Sequence, residues 1–130
     1  MMVDWSKSKY FLKEEFDCQA TGENKMQESF ILQINQLRSI YGKPMLISSG
    51  FRSKKHPIEA KKKSGGGMHT TGLASDVLIH GKEAYILLNL IIQMKVWTGI
   101  GFNQKGAFEQ RFIHIDMGTD ENRRPTIWSY

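Results

Sequence analysis

The sequence predicts one small α+β domain, in which helices pack on one face of a small, mainly antiparallel sheet. Two helical patterns stand far apart in the chain, four short strand patterns lie between and after them, and turn residues separate these elements. A chain of 130 residues with 40% hydrophobic residues is long enough to bury a core without disulfides. We therefore expect residues 1–130 to form a single domain.

The first helix is predicted over residues 24–41. Apolar side chains recur there at spacings of four, four, three and four, which form one stripe of an α-helix. The residues of this stripe are Met26, Phe30, Ile34, Leu37 and Tyr41. Gly42 and Pro44 are typical stop signals, and residues 45–49 then predict a short buried strand that ends before Gly50.

A long polar segment, residues 51–72, follows the first strand. It is basic and rich in glycine, which predicts a loop with one short helical turn after Pro57. Loops of this length in compact domains usually carry function. Its lysines either line a rim that binds an anionic partner or belong to an ordinary solvated loop. They are Lys54, Lys55, Lys61, Lys62 and Lys63.

The second half of the chain predicts three more strands and a central helix. The strands are expected over residues 73–79, 97–102 and 111–117, and the helix over residues 82–95. In the last strand polar and apolar residues alternate. Side chains alternate between the two faces of a strand, so His114 and Asp116 should look into a cleft while the isoleucines between them face the helices.

Composition and charge restrict the classes of function. The longest apolar stretch, residues 84–96, is interrupted by polar residues and is too short to cross a bilayer. The start of the chain lacks the apolar core of a secretory signal peptide, so we expect a cytoplasmic protein on synthesis. The single cysteine, Cys18, excludes an internal disulfide framework and a multi-thiolate zinc finger. A formal charge of +5 and a pI near 9.4 indicate an acidic partner: nucleic acid, an anionic membrane surface or an anionic polymer such as cell wall. Charge alone does not choose among these three.

Two histidines and one aspartate form a candidate metal site. A catalytic zinc site takes three protein ligands and leaves a fourth position open, and His69, Asp76 and His114 supply such a set. The glycines and threonines around His69 let the loop fold back beside the strand that carries Asp76, whereas seven residues of helix would separate the two by roughly 10 Å. A histidine beside a glycine-rich loop is more often a solvated or capping residue, so residue types alone leave both interpretations open.

Eight short motifs occur in a fixed order along most of the chain. They are FDC at 16–18, TGE at 21–23, GKP at 42–44, SSGFRS at 48–53, MHTTGLASD at 68–76, GIGF at 99–102, FIHID at 112–116 and RPTIW at 124–128. Together they resemble the zinc D-Ala-D-Ala carboxypeptidase and murein endopeptidase superfamily, whose fold is shared with the hedgehog signalling domain. Within it the chain is most similar to the compact branch of phage and prophage lysis genes.

The resemblance implies roles for individual residues. The zinc ligands it implies are His69, Asp76 and His114. Arg52, with Ser49 on the same turn, would meet the substrate carboxylate or the developing oxyanion, a task that suits the planar guanidinium. Asp116 would orient a ligand or handle protons.

One position departs from the superfamily pattern. Better-studied relatives carry the general-base Asp or Glu three residues before the final histidine ligand, where this chain has Arg111. Arginine stays protonated at pH 7 and cannot serve as a base. The remaining candidates for the catalytic base are Asp116 and Glu109.

The resemblance implies a zinc metallopeptidase that hydrolyses peptide bonds in peptidoglycan stem peptides, as a carboxypeptidase or an endopeptidase. A phage endolysin is one enzyme of this kind. We expect one zinc ion, a monomer, no nucleic-acid partner and no membrane insertion. An endolysin would act at the cell wall after release, and its basic charge would hold it there in a salt-sensitive way. The alternative is a catalytically silent, zinc-containing wall-binding module of the same fold.

Overall fold

The computed structural model describes residues 2–130, which form five strands and three helices. The strands are β1 (Leu46–Ser49), β2 (Ala74–Leu78), β3 (Gly99–Asn103), β4 (Phe112–Asp116) and β5 (Thr126–Ser129). The helices are α1 (Glu28–Tyr41), the single-turn α2 (Pro57–Ala60) and α3 (Gly81–Met94). No helix in residues 2–130 combines the length and the apolar character that crossing a bilayer requires.

All five strands belong to one sheet with the order β1-β2-β4-β3-β5. Neighbouring strands are antiparallel except β3 and β5, which are parallel. The α+β class and the mainly antiparallel sheet that the sequence predicts are therefore confirmed.

The hydrophobic core lies between one face of the sheet and the two long helices. Ile113 and Ile115 of β4 are almost fully buried there, together with Val77 of β2. The buried helical side chains are Phe30, Ile31, Ile34 and Leu37 from α1 and Ala84, Leu87 and Ile91 from α3. Burying each large apolar side chain stabilises the fold by about 1.5–3 kcal/mol relative to leaving it in water. The opposite face of β4 carries His114 and Asp116, as the alternation predicts.

The ends of the first helix follow from local backbone chemistry. Gln27 is the N-cap of α1 and has an extended backbone, so the helix begins at Glu28 and not at residue 24. The helix ends at Tyr41 as predicted, because Gly42 takes the left-handed conformation with φ 77°. The predicted helical turn after Pro57 is present as α2.

The fifth strand was not predicted from the sequence. Its four residues are mostly exposed and show no apolar alternation. It lies at the edge of the sheet, where pairing with β3 holds it in place. This pairing brings residues near the end of the chain beside β4.

Truncation of a core side chain on α1 should destabilise the protein far more than truncation of an exposed one on the same helix. Leu37 is 0% exposed and Leu32 is 63% exposed. We expect Leu37→Ala to lower the free energy of unfolding by about 2–5 kcal/mol, and Leu32→Ala to change it by less than about 0.5 kcal/mol. Urea unfolding followed by circular dichroism measures both, and equal losses would contradict this packing.

Candidate metal centre

His69, Asp76 and His114 converge on the sheet face opposite the helices. Asp76 and His114 are directly paired residues of β2 and β4, and His69 lies in a 3-10 turn over Met68–Thr71. His69 Nε2 is 3.3 Å from Asp76 Oδ1, and His114 Nδ1 is 3.0 Å from the same oxygen. All three residues are buried, and one donor atom from each lies within 4.8 Å of the others. The structure therefore brings together the set predicted as zinc ligands.

The start of α1 holds the turn that returns His69 to the sheet. Gly72 ends the turn with φ 77°, and a Cβ at this position would collide with the Lys25 carbonyl. The Gln27 backbone N–H donates to the Gly72 carbonyl at 3.0 Å, and the Gln27 side-chain amide donates to the Thr71 carbonyl at 2.8 Å. A glycine is thus required where the two segments approach.

Hydrogen bonds on the far side of each imidazole set its tautomer. His69 Nδ1 is 2.8 Å from the Gly50 carbonyl oxygen, which only accepts, so this nitrogen carries the proton. His114 Nε2 is 2.7 Å from Asp116 Oδ2 and likewise donates. The lone pairs of His69 Nε2 and His114 Nδ1 are left facing Asp76.

These three facing atoms fit a zinc ion. Two nitrogen lone pairs and a carboxylate oxygen at 3.0–3.3 Å repel one another unless a proton or a cation lies among them. A tetrahedral zinc ion with bonds near 2.1 Å holds its ligand atoms about 3.4 Å apart. Two imidazoles and one carboxylate are also the donor set of a zinc site that keeps its fourth position open.

The same proximity shifts the pKa values of two predicted ligands. Burial opposes ionisation of Asp76, but hydrogen bonds from His114 and His69, which form when the facing ring nitrogens carry a proton in place of a metal, outweigh it and hold the pKa of Asp76 well below its usual range. Burial also opposes protonation of His114, but Asp116 and Asp76 together raise the pKa of His114 above its ordinary value. A proton therefore competes with a metal for the Nδ1 lone pair of His114.

Asp116 is a fully buried carboxylate behind His114. Its Oδ2 accepts from His114 Nε2 at 2.7 Å and from Arg124 Nη2 at 2.8 Å, while its Oδ1 accepts from Arg124 Nε at 3.0 Å and the Gly118 N–H at 3.1 Å. Burial raises the pKa of Asp116, but these donors outweigh burial and hold the pKa at about 2.

A Cβ at Gly99 would collide with both Asp116 and Arg124. The absence of a side chain at residue 99 therefore makes room for this ion pair.

One row of directly paired residues crosses the whole sheet through the site. The row is Ser49, Asp76, His114, Gly101 and Trp128. A Cβ at Gly101 would lie 2.5 Å from the Trp128 ring, so glycine lets that ring pack beside His114 with centroids 5.1 Å apart. The Arg124 guanidinium lies 4.9 Å from the centroid of the Trp128 ring. The edge strand thus contributes an aromatic wall beside the metal centre.

Arg52 lies on the other side of Asp76. Its Nε donates to Ser49 Oγ at 3.0 Å, its Nη1 donates to Glu59 Oε2 at 3.0 Å, and its Nη2 is 3.7 Å from Asp76 Oδ2. The structure therefore places the predicted pair of substrate-binding residues, Arg52 and Ser49, in contact with each other and Arg52 beside a predicted ligand.

Glu59 fixes the position of Arg52 from within α2. Its side chain is 0% exposed, and it also accepts from the Gly67 N–H at 2.6 Å and lies 3.1 Å from Lys62 Nζ. Burial opposes ionisation of Glu59, but the hydrogen bonds from Gly67, Arg52 and Lys62 outweigh it and hold the pKa of Glu59 at about 2. One ionised carboxylate therefore ties both ends of the basic loop together.

The metal centre opens into a cleft of about 730 Å³. Its basic lining residues are Arg52, His56, Lys62 and Arg124, and its aromatic ones are Phe112, Trp128 and Tyr130. Among the described residues that line the cleft, Asp76 is the one carboxylate. Cationic and aromatic walls suit a ligand that carries both carboxylates and apolar groups.

Glu109, one of the two candidate bases, is not brought to this cleft. It is exposed in the 3-10 turn Phe108–Gln110 and lines a separate cavity of about 390 Å³ together with Arg111 and Tyr41. Arg111, three residues before His114, has its guanidinium carbon 4.6 Å from the centroid of the Phe108 ring. Asp116 is the candidate that contacts a predicted ligand, His114.

Four residues of the site received no site role from the sequence. They are Glu59, Arg124, Trp128 and Tyr130. Arg124 and Trp128 belong to the closing RPTIW motif, but their contacts depend on the pairing of β5, which the sequence did not predict. Glu59 is the one acidic residue in the basic segment 51–67, and this isolation is a signal that points to an inward-facing carboxylate.

Comparison with known proteins agrees with this geometry. A family model described as Peptidase M15 matches residues 9–116, a range that includes all three predicted ligands and Asp116. A search among curated proteins finds no match.

Replacement of the carboxylate behind His114 should weaken metal binding. We expect Asp116→Asn to lower zinc affinity by about 10- to 100-fold, because a neutral amide, which presents an N–H on one side, replaces the charged acceptor that fixes the tautomer of His114. Competition with a chromophoric chelator at pH 7 measures the affinity. Asp120→Asn, in an exposed turn, is the matched control and should bind zinc as the unmodified protein does. Unchanged affinity in Asp116→Asn would contradict the orienting role.

Glu59 should stabilise the protein at neutral pH and lose this effect in acid. Its folded-state pKa of about 2 lies below the ordinary 4.5, so its contribution is complete above 4.5 and disappears as the pH falls towards 2. We expect Glu59→Gln to lower the free energy of unfolding by on the order of 3 kcal/mol at pH 7. This gap in free energy between the unmodified protein and the variant should narrow as the pH falls. Urea titrations between pH 3 and 7 test this, and a gap independent of pH would contradict it.

Proposed function

The chain belongs to the Peptidase M15 family, and on this premise we propose that it is a zinc-dependent peptidase that hydrolyses peptide bonds in peptidoglycan stem peptides. Family membership supports a zinc metallopeptidase of the peptidoglycan-hydrolase kind. The observation that carries the proposal for this chain is the convergence of His69 Nε2, Asp76 Oδ1 and His114 Nδ1, with the other nitrogen of each ring hydrogen-bonded to an acceptor.

The residues of the chain prepare the site for metal-assisted hydrolysis. Zinc, when bound, polarises the scissile carbonyl and lowers the pKa of a water molecule towards about 7. The Gly50 carbonyl and Asp116 keep the two imidazoles in the tautomers that offer lone pairs to the ion. Asp116 thus acts on the reaction through His114 and serves as a positioning residue.

Arg52 and Ser49 are the proposed contacts to the charged part of the substrate. A guanidinium has five N–H donors, and Arg52 uses two of them in hydrogen bonds to Ser49 and Glu59. The others can bind a stem-peptide carboxylate or the oxyanion of the transition state. Ser49 Oγ accepts from Arg52 and keeps its own proton to donate. Trp128 and Tyr130 supply the aromatic surface for the remainder of the peptide.

Few groups in the cleft can accept a proton, and this observation favours a second candidate function. Asp116 has both oxygens occupied by donors, and Glu109 lies in a separate cavity. His56 lines the cleft, but its Nδ1 accepts the Ile58 N–H at 3.1 Å, so the neutral ring presents an N–H at Nε2 and not a lone pair. The second candidate is a catalytically silent, zinc-containing wall-binding module of the same fold.

Digestion of purified cell walls separates the two functions. We expect the zinc-loaded protein to release new amino groups from wall peptides, and expect a chelator or His69→Ala to reduce the release to the level seen without enzyme. His80→Ala removes an exposed histidine outside the cleft and should leave the release unchanged. Stoichiometric zinc without release of amino groups would contradict the peptidase and support the module.

Mass spectra of the digested muropeptides then identify the bond. Loss of terminal D-Ala indicates a carboxypeptidase, and opened stems or cross-links indicate an endopeptidase, the activity that an endolysin requires.

A double-mutant cycle tests whether Glu59 acts through Arg52. We expect Arg52→Ala to lower kcat/KM by about 100-fold and Glu59→Gln to lower it by about tenfold, while zinc affinity stays unchanged in both. Introduced into Arg52→Ala, Glu59→Gln should have no further effect on kcat/KM, because the residue that it positions is already absent. Additive losses in the double variant would show that Glu59 acts independently of Arg52.

A further inference from the structure

The net charge of the whole chain is concentrated in one segment. Residues 51–67 contain six of the 18 Lys and Arg residues and one of the 13 acidic residues, so this segment carries a formal +5. The rest of the chain has twelve residues of each sign and is formally neutral. The basic character inferred from composition is therefore a local property of the loop between β1 and β2.

The one acidic residue of the segment is used inside the protein. Glu59 is fully buried and holds Arg52 and Lys62. The remaining lysines of the segment are Lys54, Lys55, Lys61 and Lys63, which we call the lysine surface. All four are exposed, and none makes an ion pair or side-chain hydrogen bond among the described residues. In contrast, four lysines elsewhere lie beside carboxylates, namely Lys7, Lys13, Lys25 and Lys43.

The lysine surface is adjacent to the cleft. Lys54 and Lys55 precede the lining residue His56, and Lys61 and Lys63 flank the lining residue Lys62. Two residues of chain span at most about 7 Å, which is less than the screening length of about 8 Å at physiological salt. Each of these four lysines therefore has its backbone within one screening length of a residue that lines the cleft.

We propose that the lysine surface binds the free carboxylates of uncut stem peptides that neighbour the one held in the cleft. This proposal rests on the proposed function, because it takes the cleft to hold a stem peptide. Peptidoglycan repeats carboxylates beside each cleavable stem peptide. When one stem peptide is bound in the cleft, the neighbouring ones therefore present negative charge to the lysine surface. An ammonium group is a flexible point charge without the fixed fork of arginine, so each contact is weak in water and the protein can move along the wall.

A matched pair of variants tests the proposal. One variant replaces Lys54, Lys55, Lys61 and Lys63 with Gln, and the other replaces exposed lysines elsewhere with Gln. The control positions are Lys9, Lys82, Lys95 and Lys105. Both variants lower the formal charge from +5 to +1. Cosedimentation with teichoic-acid-free walls, at low salt and with a chelator present, measures the affinity. We expect the lysine-surface variant to bind these walls about tenfold more weakly than the unmodified protein, and the control variant to bind them at most about twofold more weakly. Equal losses in the two variants would overturn the proposal.

The chemistry of the wall identifies the charge that is bound. Amidation of the wall carboxylates should weaken binding of the unmodified protein to the level of the lysine-surface variant, and removal of teichoic acid should leave binding unchanged. Binding that survives amidation, or that is lost with teichoic acid, would overturn the carboxylate assignment. Wall binding of the unmodified protein that does not weaken when salt is added would also overturn the carboxylate assignment.

Hydrolysis separates failure of this proposal from failure of the proposed function. The lysine-surface variant should cleave a short soluble stem peptide with the same kcat/KM as the unmodified protein, because such a peptide has no neighbouring stems. Wall binding through carboxylates without any hydrolysis would reject the peptidase and keep the docking surface. Hydrolysis with wall binding equal in both variants would keep the peptidase and reject the docking surface.

Discussion

The rest of the structure depends on one arrangement, in which Asp76 Oδ1 faces a ring nitrogen of His69 and a ring nitrogen of His114. Lone pairs 3.0 and 3.3 Å from an ionised carboxylate oxygen need a positive charge among them. The sheet holds Asp76 opposite His114 by direct strand pairing, and the turn before Gly72 returns His69 to the same place. Because the second nitrogen of each imidazole is bound to an acceptor, both histidines are already oriented for the metal that we propose they bind.

Two buried arginine–carboxylate pairs support this centre from opposite sides. Glu59 holds Arg52, and Asp116 holds Arg124, and both carboxylates are 0% exposed. Removing one partner of such a pair leaves the other charge buried without compensation. Replacing either residue alone should therefore destabilise the fold. One pair places a cation at the wall of the cleft and the other orients His114. In both pairs the arginine lines the cleft and the carboxylate does not.

The predicted fold class rests on signals that are local in the sequence, whereas the predicted ligand set rests on residue types together with the superfamily resemblance of the ordered motifs. Alternation over residues 111–117 placed His114 and Asp116 on one face, and helical spacing located both long helices. The edge strand β5 and the ion pair of Asp116 with Arg124 could not be predicted in this way, because exposed edge residues lack an apolar pattern and the partners meet only through the pairing of β3 with β5. The two glycines of β3 become informative only when the side chains that pack over them are known.

Anomalous diffraction at the zinc absorption edge, from crystals of the zinc-loaded protein, tests the central claim most directly. We expect one ion bound to His69 Nε2, an Asp76 carboxylate oxygen and His114 Nδ1, with Asp116 still hydrogen-bonded to His114 Nε2 and the Gly50 carbonyl still hydrogen-bonded to His69 Nδ1. An ion at another position, or coordination of His114 through Nε2 with Asp116 displaced, would contradict it.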